Sequence, residues 1–424
     1  MRSLLGLLRT RNFTLLWGAD LISRAGDWVL LVALPFYIYQ RTGSTLATGG
    51  AFIIETLPMI ALGSVAGVFV DRWDRKRILI IANALQCALT LLLLFARSPQ
   101  SLWVIYVVAF SQAVVAQFAG PAFDALMPHV VGAERLVAAN SALSVNNNIA
   151  RLIGPSLGGA LLVALGLAGV TLADALSFLL ADLLLLFLTL RATPRGEEVS
   201  TGKRGLRAEW AAGMLLVLRT GWLRWLFVVM GLAVLGDGMF TVLMTPFVAN
   251  VLHANAATFG WMMTARGLGG LAGGVVIGGL DKRLRPTLIV GLSALLMGLI
   301  LAAIAWLAFV PATLALMALA GVPVIGFYVT LPTLIQIGAP DEYRGRIFGA
   351  YSAINALMVL LGMLFASAAG DCLGISMTIT VAAILTVLAG VVALLFVRRA
   401  TMRPISVPRQ PASGLSTALA VEVD

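Results

Sequence analysis

The sequence predicts an all-α membrane protein: twelve transmembrane helices in two pseudo-symmetric six-helix halves. Three observations carry the prediction. The 424 residues are 60% hydrophobic and only 11% charged, with a mean hydropathy of +0.99. Soluble domains carry about 25% charged residues, so lipid is the solvent for most of this chain. Its apolar runs are each near the ~20 residues that cross a bilayer as helix. The third observation is internal repetition, at an offset of about 210 residues, which splits the chain in two.

Taken in order, the spans fall near 13–39, 46–70, 78–96, 101–127, 138–164 and 168–190, then 222–250, 257–279, 286–308, 311–336, 346–368 and 374–397. Connections are short except 191–221, which is polar. That segment runs into Leu206–Leu218, where Trp210, Leu215 and Leu216 oppose charged residues as in a surface-lying amphipathic helix. The expected organisation is a first half over 1–191, a cytoplasmic linker over 192–221, a second half over 222–399 and a disordered cytoplasmic tail over 400–424. No cleavable signal peptide is read at the start. The repeat is explicit in pairs of landmarks. Leu8-Arg9-Thr10 recurs as Leu218-Arg219-Thr220, Gly26-Asp27 as Gly236-Asp237, Pro35-Phe36 as Pro246-Phe247, and Asp71-Arg72 as Asp281-Lys282. Ala133-Glu134-Arg135 lies near the position matching Asp341–Arg344. A parallel duplication of this kind places a transported molecule near the bilayer midplane, between the halves.

Charge sets the orientation. Most of the 29 lysines and arginines fall in connections on the side of the N-terminus; the opposite side holds Arg41 and Arg97, and Arg24, Arg151 and Arg266 are left inside spans. Both termini are therefore expected in the cytoplasm of a multi-pass cell-membrane protein. The net charge of +10 reads as this asymmetry beside anionic lipid and not as a nucleic-acid surface. Cys87, Cys372, His129 and His253 are too few and too scattered for a disulfide framework, a zinc site or a hydrolytic triad. Gly202-Lys203 lacks the preceding glycine and following Ser/Thr of a phosphate loop, which removes ATP as the energy source. Gly267-Leu-Gly269-Gly-Leu-Ala272 lies in a span with no strand before it and reads as close helix packing. No cofactor, metal or enzymatic chemistry is expected.

Ionisable groups inside spans are costly, so each is a functional candidate. Asp20, Arg24 and Asp27 share one face of the first span, and Asp20 can simply pair with Arg24. Asp27 lies about 22 Å along that helix, and Glu55, approached from the other side in the second span, reaches comparable depth. These two are the foremost proton-coupling candidates, although capping a broken helix or pairing with Arg151 is an equal reading for each. Asn147, Arg151, Gly154 and Gly158 form a stripe on the fifth span. Arg151 is expected to have an acidic or carbonyl partner, with Asp27, Glu55 and Asp182 available in the first half; the second half offers Asp237 and Arg266.

The connection between spans two and three holds Gly67, Asp71, Arg72, Asp74, Arg75, Lys76 and Arg77. An Asp at a helix end can complement a neighbouring helix N-terminus, and a Gly admits close approach; together they read as a latch between helices. The pattern G-x-x-x-D-R-x-x-R-[KR] resembles motif A of the major facilitator superfamily of secondary transporters, with Asp74 where that family usually has Gly. Gly154-Pro155-Ser-Leu-Gly158-Gly159 is similar to the fifth-span motif of its antiporters. Ala139-Asn-Ser-Ala142 and Asp174-Ala-Leu-Ser177-Phe178 add a likeness to the drug-efflux branch that includes macrolide and siderophore exporters. The resemblance covers residues 1–400. It implies proton-coupled export of a bulky, partly apolar small molecule by a monomer, with Gly67, Asp71, Arg72, Arg75 and Lys76 as the cytoplasmic gate and Asp281, Lys282 and Arg283 as its weaker counterpart. An importer or lysophospholipid flippase of the same fold is the alternative, and a receptor or scaffold without transport a more distant one.

Overall fold

The computed structural model describes residues 6–70, 73–189, 214, 217–218, 220–280 and 283–397. Asp71, Arg72, Asp281 and Lys282, the tail and most of the linker with its amphipathic stretch lie outside the described residues. The helices are α1 (Arg11–Thr42), α2 (Thr45–Val70), α3 (Arg75–Leu92), α4 (Trp103–Val131), α5 (136–165) and α6 (167–186), then α7 (Gly221–Pro246), α8 (Ala256–Leu280), α9 (Pro286–Trp306), α10 (Val310–Gly338), α11 (Asp341–Leu373) and α12 (Ile375–Val392). Among the described residues, eleven continuous helices are long and apolar enough to cross a membrane, and the 51-residue one is two spans meeting at Gly166. Gly166 has φ 66° and ψ −168°, outside the helical region, where a residue lacking Cβ is favoured. The twelve expected spans are thus present. The largest boundary difference is α11, which runs five residues further than expected at each end; at its start the polar first turn also folds as helix.

Local chemistry explains several ends. Gly43, at φ 63°, closes α1 by donating its N–H to the Tyr39 carbonyl, the left-handed cap that favours glycine. Asp74 caps α3, its Oδ1 accepting from the Arg77 N–H at 2.8 Å. That gives the departure from the usual motif glycine a physical role. Outward faces are apolar, as on α6, where Leu172, Leu176, Leu179 and Leu183 are each about half exposed in a stripe spaced four, three and four.

The two sets of six helices repeat one packing scheme. α1 packs on α5, α2 on α4 and α3 on α6; correspondingly α7 packs on α11, α8 on α10 and α9 on α12. The sets meet along two seams, α2 with α11 and α5 with α8, and each seam is the other's equivalent under exchange of the halves. Both seams depend on glycine. On the α5–α8 seam a Cβ at Gly159 would run into the Ala256 carbonyl, and within the first half one at Gly158 would stand 2.5 Å from the Val29 carbonyl oxygen on α1. Gly49 and Gly370 give α2 and α11 the same closeness against Ser367 and Thr45.

Candidate functional site

Seam contacts are concentrated at the end of the bundle remote from the N-terminus, here the far end. Asp371, near the end of α11, accepts from the Thr45 N–H at 2.7 Å, the Leu46 N–H at 3.2 Å and the Ser44 hydroxyl at 2.9 Å. It therefore caps α2 from the opposite half. Asn250 donates to the Tyr39 hydroxyl at 2.7 Å, and on the α5–α8 seam, at the level of the cavity, Thr264 donates to the Leu152 carbonyl at 2.6 Å. Toward the near end, Gly274, Gly278, Gly345 and Gly349 have open space where a Cβ would sit. Asn140, Ser141, Ser144, Asn147 and Asn148 are exposed along the same half of α5. The halves are clasped far and splayed near.

Between them lies a cavity of about 510 Å³, a size that suits a drug-like molecule. Trp28, Phe52, Phe240, Phe259, Met244 and Met263 supply apolar walls, with Glu55, Gln117, Arg151, Arg266 and Asn355 as polar groups. A side chamber of about 230 Å³ in the first half shares Glu55 with this cavity and adds Asp27, Gln86 and Gln112. A third space shares Asp27 and Gln86 with that chamber and reaches Asp20, Ser23, Arg24 and Asn83. Glu55 and Asp27 therefore each line two neighbouring spaces, and the three spaces form a row, here called the corridor. Neither has an ion-pair partner among the described residues.

Other expectations sort as follows. Asp20 pairs with Arg24 at 2.7 Å, and Asn146 of α5 donates to Asp20 at 3.1 Å and to the Trp17 carbonyl at 2.8 Å, tying α1 to α5. Asp237 receives Arg266 at 2.9 Å and the Tyr328 hydroxyl at 3.1 Å. The expected partner of Arg151 is a correction. No acid or carbonyl bonds it among the described residues, because α5 aims it into the cavity beside Arg266, which Asp182 on α6 does not line. Gly154 and Gly158 lie against α1, Gly159 against α8, and α8's Gly260 closes on the Pro155 carbonyl, so this stretch serves both packing surfaces of α5. Gly269 packs against α10 at Ala318, as the helix-packing reading of that stretch expects.

Of the gate residues, Gly67 lies in the last turn of α2. Arg75 meets the His129 ring at 3.0 Å, and Lys76 donates to the Leu186 and Leu188 carbonyls at 3.2 and 2.7 Å, both within the first half. Arg283 donates its backbone N–H to the Leu280 carbonyl at 2.9 Å. One residue went unread except as part of a resemblance. Asp174 on α6 is fully buried; its Oδ2 accepts from Thr90 at 2.9 Å, Thr90 accepts from Gln112 at 2.6 Å, and its Oδ1 has no partner among the described residues. Its sequence signal was an acid inside an apolar run, the same signal that singled out Asp182.

Twelve apolar helices in two matched sets, enclosing a mainly apolar cavity with a few charged and polar groups, define a multi-pass membrane transporter. The profile described as Major Facilitator Superfamily matches residues 16–362 and 226–420, and the chain belongs to that family. It is 28% identical over 393 residues to the multidrug efflux pump Tap of Mycobacterium tuberculosis, covering 89% of this chain and 91% of Tap. It is 24% identical over 386 residues to macrolide efflux protein A of Streptococcus pyogenes, covering 86% and 91%. Its fold is similar to a bacterial homologue of the iron transporter ferroportin in the inward-facing state, with TM-score 0.72, 21% identity and coverage of 93% and 100%. Against the outward-facing state of such a homologue the TM-score is 0.56, at 21% identity and coverage of 91% and 99%.

Proposed function

We propose that the chain is a proton-coupled exporter of bulky, partly apolar small molecules, working as a monomer in the plasma membrane by alternating access. The observation that carries this reading is the cavity on the seam between the halves, closed at the far end and open at the near end, with unpaired Glu55 on its wall. The positive-inside asymmetry makes the near end cytoplasmic, with both termini there, so the molecule faces inward. The efflux relatives supply the direction and the drug-like cargo. Residues 1–191 and 222–399 act as the rocking halves, joined by the 192–221 linker. In the outward state the near end closes, and Gly67, Asp71, Arg72 and Arg75 latch it, with Asp281, Lys282 and Arg283 as the weaker counterpart; Lys76 anchors α3 to the end of α6. Protons enter by Glu55 and Asp27, since removing a carboxylate from water disfavours its charge. Export is tested in inverted vesicles, where cargo should accumulate when the lumen is acidic; accumulation only in right-side-out vesicles would make this an importer.

The Gln112–Thr90–Asp174 chain extends the corridor to a buried acid, and it yields a prediction. Asp174→Asn is expected to leave the melting temperature unchanged or raised, because a neutral amide of equal shape replaces a buried carboxyl with one orphaned oxygen. Proton-driven efflux should fall about tenfold, within the usual range for coupled sites. Efflux and pH dependence both matching the unaltered chain would remove Asp174 from the route.

A further inference from the structure

The α5–α8 seam brings two guanidinium groups into one cavity, and a single carboxylate, Asp237, bonds one of them. The bond from Thr264 to the Leu152 carbonyl sets their neighbours, Arg266 and Arg151, level across the seam, and both side chains line the central cavity. Arg266 is held by Asp237 through one N–H of its guanidinium, and Asp237 is further occupied by Tyr328. Arg151 has neither ion pair nor hydrogen bond among the described residues. The other ionisable side chains lining the cavity are Arg266 and Glu55. Glu55, on α2, lies across the same cavity without closing on Arg151. An unpaired guanidinium at membrane depth is costly unless something else meets it, and a guanidinium fork matches a carboxylate, sulfonate or phosphate in two-bonded geometry.

We propose that Arg151, assisted by the N–H groups that Arg266 does not spend on Asp237, is an anion subsite of the central cavity, and that the cargo is an apolar body bearing one acidic group. The inference rests on the reading of this cavity as the cargo site. The acidic group sits at the α5–α8 seam, where both halves contribute a positive charge. The apolar body lies against Phe52, Phe240, Phe259, Met244 and Met263, whose aromatic and thioether surfaces adapt to varied shapes. Because the subsite draws on both halves, an anion there bridges the seam that must rearrange during transport.

The test uses two dyes on one xanthene scaffold. Rhodamine B carries a free carboxylate, and in rhodamine 6G that carboxyl is an ester. Binding to the purified full chain in lipid nanodiscs is followed by fluorescence polarisation, with melting temperature as the control for folding. Arg151→Gln should weaken rhodamine B about tenfold and leave rhodamine 6G within about twofold. Arg151→Lys should retain part of the rhodamine B affinity, since it keeps the charge and loses the fork. Equal changes for both dyes, no change for either, or an unaltered chain that binds the ester alone or neither dye would each overturn the subsite. Binding is read without a gradient, so a failure of proton-driven export leaves this result standing. Export of rhodamine 6G by a chain that cannot hold rhodamine B would sink the subsite and spare the export reading.

Discussion

Asp371→Ala is expected to shift the chain about fivefold toward the state open at the far end. The residue closes α2 from the other half through three hydrogen bonds, two of them to the first backbone N–H groups of that helix. Those groups have no partner inside α2, and a side-chain cap of this kind contributes about 0.5–2 kcal/mol. Asp371 is exposed, so water replaces part of what alanine removes. The expected loss is therefore about 1 kcal/mol, which is the fivefold shift. The contact exists only while α2 and α11 meet at the far end, so its whole value bears on the equilibrium between states. Oδ1 accepts from Thr45 while Oδ2 accepts from Leu46 and Ser44, so Asp371→Asn, with one acceptor oxygen left, should fall between Asp371→Ala and the unaltered chain. Spin-label distances across the far end read the shift. A distribution in Asp371→Ala identical to that of the unaltered chain would reduce the clasp to a bystander.

Glu55→Gln and Asp27→Asn should each cut efflux driven by a pH gradient about tenfold, while cargo moving down its own gradient stays within about threefold. Both side chains keep their shape and lose only the capacity to take up and release a proton. Glu55 is shared by the cargo cavity and the side chamber, and Asp27 by that chamber and the space toward the near end. Removing either breaks the corridor at a different point. The readout is transport in proteoliposomes under an imposed gradient and under none. Should both variants remain fully proton-driven, the coupling carboxyl lies elsewhere, with Asp174 the next in line.

What the sequence discloses about this molecule is mostly what lipid demands of a chain. Twelve spans follow from apolar runs between charged turns, since a bilayer tolerates no exposed unpaired backbone; even the break between α5 and α6 falls where Gly166 permits it. The acids and arginines of the corridor were legible for the same reason, as charges where charge is costly. Partnerships were not. Arg151 has three candidate acids by depth, but depth does not say which way α5 faces, and its outlook onto Arg266 depends on a seam between residues 112 positions apart. Asp371 drew no notice because an acid at a helix end is ordinary; only the fold brings α2 to it from 326 residues away. Asp74 was readable as a departure from the motif, and its capping of α3 supplies the physical meaning.

The central claim is that two halves rock about the cavity so that its ends open in turn. Pulsed spin-label distances measured on one preparation test it directly, with one pair at Leu46 and Leu373 at the far end and another at Phe69 and Arg344 at the near end, all exposed positions on α2 and α11. As pH or cargo is varied, the far distance should lengthen in the same fraction of molecules in which the near distance shortens. Two distances that stay fixed, or that lengthen together, would contradict alternating access in this chain.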